Sequence, residues 1–355
     1  MQTFTGWQYL LIDVANQWGL DKELFETRIA WAEQNLPQLE SLADDRGHWK
    51  ERPLYLKACM AIRDAQRGYK SGHMVGFDSV NSGMQIMSVL TGCKSGAEAT
   101  GLVNPNERAD AYTKLTKIMS QILGYDYSSE RSKVKDACMT SLYGSKKQPV
   151  NLFGENTPEY DAFIKAMIQM APGACELLGD LIDSWQAAAK DHSWSLPDGY
   201  EAFVRVMVKK TERINIDELQ SSFTYTYYEN EGTNKGLSNA ANVIHSVDAY
   251  ILRSLIRRCS YDPAVINSAY NAITAEILER TLGESIAADS KTNEIDFYCN
   301  LYQSTGMVDP VILNYLDHGQ THYLSNNHLH GLALMCKSML EHKPFDIISI
   351  HDDFK

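Results

Sequence analysis

The chain has 355 residues, of which 44% are hydrophobic and 22% charged. This is the composition of a soluble globular protein with room for two or three subdomains. No run of about 18 apolar residues and no signal-peptide pattern is present, so we expect no membrane contact and a cytoplasmic protein. The net charge of −12 argues against binding nucleic acid by bulk attraction, so such contact must be local or assisted by a basic partner.

The seven cysteines include no C-x-x-C pair, which indicates small buried hydrophobes rather than disulfides or a zinc site. Hydrophobic periodicity then predicts an α+β protein that is mostly helical. In chain order we expect helices at 7–18, 21–35 and 53–66, a short strand at 73–78 and a helix from Ser82. Further helices are expected at 108–123, from Arg131 up to a loop after Gly144, and at 158–190, the last broken at Pro172. A turn at 194–200, a strand at 202–208, a hairpin at 221–234, helices at 242–257, 263–282, 295–303 and 328–341, and a strand at 347–350 complete the prediction.

Four residues in the segment 131–146 recur at a spacing of four, namely Arg131, Lys135, Met139 and Tyr143. On an α-helix this spacing gives one row along one face. Two cations, a soft apolar group and a phenol suit a nucleoside triphosphate, because phosphates need fixed positive charge and the nucleoside needs a flat surface. An ordinary amphipathic helix with a solvated basic end remains the alternative for this segment alone.

Two carboxylates follow short apolar strands, Asp78 after 73–77 and Asp352 after 347–350. If the strands are neighbours, both carboxylates can share two Mg²⁺ ions, which activate an attacking hydroxyl and hold a leaving pyrophosphate. This chemistry is nucleotidyl transfer. For Asp78 alone, a helix cap is the alternative.

The order of these motifs resembles the single-subunit RNA polymerases of bacteriophages and mitochondria. The first family motif is matched by Asp78, Ser82, Gly83 and Gln85, and the second is matched without a gap over 131–146. The His-Ser-x-Asp motif of this family is matched by His245, Ser246 and Asp248.

This resemblance implies a right-hand polymerase, with a palm built on a small antiparallel sheet and with helical fingers. It places the first part of the palm at 1–90, the fingers at 91–241 with a short specificity hairpin at 221–234, and the second part of the palm at 242–355. An insertion is expected at about 260–327, and we assign it no chemistry. The four histidines within it and just after it, His318, His322, His328 and His330, are expected to lie at the surface or in packing contacts.

The resemblance also implies DNA-templated RNA synthesis with two Mg²⁺ ions. Asp78, Asp352 and the backbone of Ser79 would hold the metals, and Lys135 and Arg131 the triphosphate. Tyr143 would close the insertion site and His351 would lie by the primer terminus. The alternative to triphosphate binding by Arg131 is a salt bridge to a neighbouring acidic residue. The alternative for His351 is simple packing at the end of a strand. The further substrate-binding residues implied are Met139, Gly144, Gly83, Gln85, Ser82, His245 and Asp248.

The match differs from the family in three respects. By this resemblance we expect the family's N-terminal domain, thumb and early palm to be missing from this polypeptide. The insertion lengthens the path to Asp352, and three residues follow Asp352 in the sequence. We therefore expect the palm-and-fingers subunit of a split, heterodimeric phage-type enzyme whose second polypeptide supplies the missing parts. It would act on template DNA, nascent RNA and ribonucleoside triphosphates, in the cytoplasm of a bacterial host if a phage encodes it. A DNA polymerase or primase, and a non-catalytic scaffold that binds nucleic acid, are the rival interpretations.

Overall fold

The computed structural model describes residues 3–45, 49, 51–104, 108–206, 208–229, 231, 237–283, 292–350 and 353–354. Helices predominate in these residues and the strands form three two-stranded antiparallel sheets, which confirms a mostly helical α+β protein. The helices are α1 Gly6–Ala15, α2 Phe25–Asn35, α3 Leu39–Leu42, α4 Arg52–Gln66, α5 Ser82–Thr91, α6 Lys94–Ala99, α7 Ala111–Leu123, α8 Arg131–Ser141, α9 Lys147–Phe153, α10 Pro158–Met170, α11 Pro172–Asp183, α12 Leu237–Cys259, α13 Pro263–Leu282, α14 Asn293–Thr305, α15 His318–Thr321 and α16 Asn326–Leu340. The strands are β1 Asp191–Ser195, β2 Glu201–Arg205, β3 Val208–Ile216, β4 Ser221–Glu229, β5 Ser349–Ile350 and β6 Asp353–Phe354.

The chain divides into two compact units. Unit 1 comprises Met1–Lys135, Phe153–Gly173 and Ser349–Lys355, and unit 2 comprises Asp136–Leu152 and Ala174–Ile348. The palm and fingers boundaries expected from the sequence stay predictions. Within the described ranges, no helix combines the length and the apolar character needed to cross a membrane.

The first core of unit 1 forms where α1, α2 and α4 pack together. The turn between α1 and α2 depends on Gly19, whose φ of +110° is a conformation that side chains with a Cβ rarely adopt. The buried Arg28 fixes this turn, because it donates hydrogen bonds to Asn16 Oδ1 at 2.8 Å and to the Asp21 carbonyl at 2.9 Å. The predicted break at Gly19 is therefore present, but α1 already ends at Ala15, a π-helical turn covers Asn16–Leu20, and α2 begins only at Phe25.

A second helical layer of unit 1 packs α7 against α10. Leu115 and Met119 on α7, and Phe163 on α10, are buried. Helix α7 starts at the N-cap Asp110, whose carboxylate accepts a hydrogen bond from the Thr113 amide at 3.0 Å. This cap fixes the start of the helix that lies beside the cations of α8.

In unit 2, the inserted region packs its helices α13 and α14 against the following helix α16 in a separate core. Ile273, Ile295, Leu329 and Leu332 lie fully buried in it. Helix α12 packs on β2, which pairs antiparallel with β1 around a turn at Pro197-Asp198-Gly199. The insertion is thus a folded helical element.

The hairpin lies at 208–229 rather than at 221–234. Strand β4 is where the Thr- and Tyr-rich pattern predicted it, but it pairs with the preceding strand β3 over nine residue pairs, from Val208–Glu229 to Ile216–Ser221. The turn is formed by 217–220, where Gln220 has a φ of +44°. Because that turn contains no Gly, Pro or Asn, its sequence gives little hairpin signal.

The prediction of a β-strand at 73–78 is wrong. Within it the structure has only an isolated bridge at Phe77, and the rest of the segment has no regular structure. Strand β5 is confirmed, although it is only two residues long and pairs antiparallel with β6.

The cysteines behave as buried apolar groups. All seven are free thiols, and four of them are fully buried. Burial raises the pKa of Cys138 to about 12 and that of Cys336 to about 11, so both stay protonated and unreactive at neutral pH.

Candidate active site

Helix α8 carries the row of residues that the sequence singled out. Arg131, Lys135 and Met139 lie along it, while Val134 and Cys138 on another face are fully buried. The helix ends at Ser141, earlier than predicted, because Gly144 adopts a φ of +84°. Tyr143 therefore lies in the turn after the helix and does not continue the row.

Arg131 forms an ion pair with Asp110, the N-cap of α7. Its Nη2 lies 2.9 Å from Asp110 Oδ1 and its Nε 3.0 Å from Oδ2, and Nε also lies 3.1 Å from Thr113 Oγ1. Burial alone would raise the pKa of Asp110, but the hydrogen bonds from Arg131 and Thr113 outweigh it and hold that pKa below its usual range. The salt bridge left open as an alternative for Arg131 is thus present, and its contact with a triphosphate stays a prediction.

Tyr112, on α7, lies against both cations. Its ring centroid is 5.5 Å from the Arg131 guanidinium carbon and 5.8 Å from Lys135 Nζ, and the ring is almost fully buried. Its hydroxyl accepts a hydrogen bond from Asn81 Nδ2 at 3.2 Å. Tyr112 thereby joins the start of α5 to the cationic end of α8, within unit 1.

Sequence reasoning missed both Asp110 and Tyr112. The only sequence signal was Asp-x-Tyr at the start of a helix, where an Asp is an ordinary N-cap. Nothing in that pattern shows that Arg131, 21 positions further on, shares the carboxylate.

Asp78 follows the bridge at Phe77 and is exposed. The N-cap of α5 is Asn81, whose Oδ1 accepts the Met84 amide hydrogen at 2.8 Å. The helix-cap alternative for Asp78 is therefore wrong, since another residue fills that position.

The other predicted residues of the first motif lie at or near the start of α5. Ser79 and Ser82 are half-buried and Gly83 is buried in the first turn. Gln85 donates from Nε2 to the Thr100 carbonyl at 3.0 Å, so its amide fixes neighbouring backbone.

Tyr143 and His245 are in direct contact within unit 2. Their rings stack with centroids 4.6 Å apart and an angle of 9° between the planes. His245 is exposed on α12, and the next residue, Ser246, accepts a hydrogen bond from Trp194 Nε1 at 2.9 Å. The structure thus brings together two predicted site residues that are far apart in sequence. In the same unit Met139 is exposed, Gly144 is buried and Asp248 is half-buried.

Further along α12, two arginines share two buried carboxylates. Arg253 Nε lies 2.7 Å from Asp198 Oδ2, and Arg257 contacts both Asp198 and Asp309 at 3.1 Å. Burial would raise the pKa of Asp198, but hydrogen bonds from Arg253 and Arg257 outweigh it and lower that pKa. Because Asp309 belongs to the insertion, this network fastens the insertion to the helix that carries His245.

His351 and Asp352 lie outside the described residues. Their expected roles therefore stay predictions.

The insertion contains a group of side chains whose ligand atoms lie within 4.8 Å of one another, formed by Glu276, Glu279 and His322. Glu276 is buried and already forms ion pairs with Arg280 and with His322 Nδ1, the latter at 2.5 Å. The pair with Arg280 neutralises the buried carboxylate of Glu276 within the fold. His328 is buried against the ring of Tyr302, as expected of a packing histidine.

Comparison with known proteins shows which proteins this chain resembles. Residues 2–154 match the model of the family described as DNA-dependent RNA polymerase. That segment contains Asp78, α5, Tyr112 and the row on α8. His245 and Asp248 lie beyond it.

Particular relatives agree with this class. The chain is 24% identical over 329 residues to the DNA-directed RNA polymerase of Pseudomonas phage phiKMV, covering 76% of this chain and 40% of the phage protein. It is 30% identical over 172 residues to the mitochondrial DNA-directed RNA polymerase 1 of Arabidopsis thaliana, covering 39% of this chain and 18% of that protein. It is 28% identical over 163 residues to the mitochondrial DNA-directed RNA polymerase of Schizosaccharomyces pombe, covering 39% of this chain and 14% of that protein. The chain is therefore similar to DNA-directed RNA polymerases of phages and mitochondria, and it spans 40% or less of the length of these relatives.

Proposed function

We propose that this chain carries the catalytic centre of a DNA-directed RNA polymerase that synthesises RNA on a DNA template. The observation that carries this proposal is the connection through Tyr112. Its hydroxyl holds Asn81, three residues after Asp78, and its ring lies against Arg131 and Lys135. A carboxylate that binds metal and cations that bind a triphosphate must be held in fixed relation for nucleotidyl transfer.

Within this proposal, Lys135 neutralises charge on the leaving pyrophosphate, and Arg131, held by Asp110, orients the triphosphate. The carboxylate of Asp78 and the backbone carbonyl of Ser79 are hard oxygen donors of the kind Mg²⁺ prefers, and Asp352 is the third expected ligand. When bound, a pair of Mg²⁺ ions supplies activation of the 3′-hydroxyl and neutralises the developing charge. Tyr143 closes the nucleotide site and His351 lies by the primer end.

Ribonucleotides are the proposed substrates. Gly83, five residues after Asp78, leaves space where related DNA polymerases have a glutamate that blocks the 2′-hydroxyl, and the stacked Tyr143 and His245 would face that hydroxyl. We expect Gly83→Glu to reduce incorporation of ribonucleotides more than that of deoxyribonucleotides, measured by single-nucleotide extension. Because Gly83 is buried, Gly83→Ala serves as the folding control. An unchanged ratio in a folded Gly83→Glu protein would remove the steric argument.

The palm and fingers assignment belongs to the same proposal, and so does a second polypeptide that completes the enzyme. The net charge of −12 supports a basic companion, because a polymerase must attract nucleic acid. Purification from the natural source tests this: a basic polypeptide of constant stoichiometry is expected. Recovery of this chain alone, or as part of one longer chain, would contradict it.

The catalytic proposal is tested by Asp78→Asn in a primed extension assay with ribonucleotides and Mg²⁺, using the full chain with any companion that co-purifies. We expect a loss on the order of 10³-fold, because a metal ligand is removed. The matched control is Asp161→Asn, an exposed carboxylate on α10 of the same unit, which should retain full activity. Extension by Asp78→Asn at the wild-type rate would leave a non-catalytic scaffold as the better interpretation. Preference for deoxyribonucleotides would indicate a DNA polymerase.

A further inference from the structure

A buried side-chain pair ties helix α1 to the irregular segment before Asp78. His73 Nε2 donates to Asp13 Oδ2 at 2.7 Å, and the two side chains are only 6% and 8% exposed. Gln17 Nε2 donates to the other oxygen of Asp13 at 3.3 Å. A buried carboxylate with hydrogen bonds to both oxygens is held in one orientation.

A second contact joins the same two pieces of chain. The ring of Tyr9 meets the ring of Phe77 edge to face, with centroids 5.3 Å apart. Tyr9 and Asp13 are four residues apart, so they lie on one face of α1, and their partners His73 and Phe77 are also four residues apart. Helix α1 therefore holds the segment at two points, and the second point is the residue immediately before Asp78.

The segment has almost no regular secondary structure. Residues 70–76 contain no helix or strand, and Phe77 forms only an isolated bridge. On the other side of Asp78, Asn81 caps α5 and is hydrogen-bonded to Tyr112. Asp78 thus lies between two anchors, the buried hydrogen-bonded pair of Asp13 and His73 on one side and Asn81 on the other.

We propose that Asp13 is a positioning residue that acts through His73 to fix the backbone carrying the metal-binding carboxylate of Asp78. This inference rests on the proposed function for the identity of the ligand, but the anchoring itself does not depend on it. Metal-ligand geometry tolerates displacements of only a few tenths of an ångström, so a loosened segment would weaken Mg²⁺ binding before it changed nucleotide binding.

The test compares Asp13→Asn with Tyr55→Phe in the full chain. Asn keeps the size of the side chain but loses the charge. Tyr55→Phe removes a buried hydrogen bond to the Leu39 carbonyl in the same core and leaves residues 73–78 untouched. For Asp13→Asn we expect the Mg²⁺ concentration at half-maximal extension to rise roughly tenfold and kcat to fall by a similar factor, with KM for ribonucleotides nearly unchanged. Hydrogen exchange at the amides of residues 74–79 should accelerate in Asp13→Asn alone.

The outcomes separate this inference from the proposed function. Wild-type Mg²⁺ dependence and wild-type exchange in a folded Asp13→Asn protein would overturn the positioning role. Faster exchange at residues 74–79 in a protein that extends no primer would support the anchoring while contradicting the polymerase proposal. If Asp13→Asn does not fold, Tyr9→Leu tests the second anchor, and it should raise the Mg²⁺ requirement in the same direction. An unchanged Mg²⁺ requirement in Tyr9→Leu would then overturn the inference.

Discussion

The two ends of helix α8 are held by different kinds of interaction. At the first end, Arg131 is fixed by charged hydrogen bonds to Asp110 and lies against Tyr112. Beyond the last turn, Tyr143 stacks on the exposed ring of His245. A hydrogen bond to a charged group contributes about 1.5–3 kcal/mol, whereas an aromatic pair contributes about 0.5–1.5 kcal/mol. We therefore expect the cationic end to stay fixed and the Tyr143 end to rearrange during a catalytic cycle.

The largest expected effect is at the fixed end, where Lys135→Ala removes the charge assigned to the leaving pyrophosphate. We expect kcat for primer extension to fall on the order of 10²–10³-fold, as when one preorganised group is removed from a developing charge. Single-turnover extension measures this directly.

The matched control is Lys133→Ala, two residues earlier on the same helix. Lys133 Nζ lies over the ring of Phe153 at 5.4 Å, away from Tyr112 and the row. It should retain nearly full activity. Equal losses in the two variants would show that α8 contributes only general positive charge.

A smaller effect is expected from Asp110→Asn, which removes the charge that holds Arg131. We expect the free energy of unfolding at pH 7 to fall by about 2 kcal/mol, since a charged hydrogen-bonded pair is lost on a partly exposed surface. Urea unfolding measures the difference.

The pH dependence of that difference has a definite sign. The folded state lowers the pKa of Asp110, so the wild-type advantage is fully present above the unfolded value of about 3.9 and is lost as pH falls through the folded pKa. The difference in stability between the two proteins should therefore shrink as the pH falls from 5 to 3, and it should vanish only below the folded pKa of Asp110. A constant difference from pH 7 to pH 3 would mean that packing, and not charge, holds Arg131.

Helix positions and helix ends could be predicted from the sequence where neighbouring residues determine them. Helix α13 begins and ends where Pro263 and Leu282 were expected, because Asp262 caps it and Gly283 adopts a φ of +75° after it. The row on α8 followed from a spacing of four alone. The loop after Gly144 was predicted from its sequence, but the helix ends three residues earlier, at Ser141.

Contacts between distant segments could not be predicted in the same way. The carboxylate of Asp110 could have paired with any neighbouring cation, and only the packing of α7 beside α8 selects Arg131. The hairpin was misplaced because Gln220 adopts a left-handed conformation usually reserved for Gly or Asn. Strand β3, with its run of Lys, Thr, Glu and Arg, is largely exposed, so no apolar alternation marked it as the partner of β4.

The smallest effect is expected at the adaptable end, from His245→Ala. Loss of the stacked ring should change the ratio of ribonucleotide to deoxyribonucleotide incorporation by about 1 kcal/mol, or roughly fivefold, because Tyr143 would no longer be held in one orientation. His192→Ala is the control, since His192 also stacks on an aromatic ring of unit 2, that of Trp185 at 4.8 Å, but has no assigned role in the site. Competition between the two nucleotides on one template measures the ratio. If His245→Ala kept the wild-type ratio of incorporation, or if His192→Ala changed that ratio equally, the Tyr143–His245 stack would be only a packing contact. The two ends of α8 would then differ in stability and not in their effect on nucleotide choice.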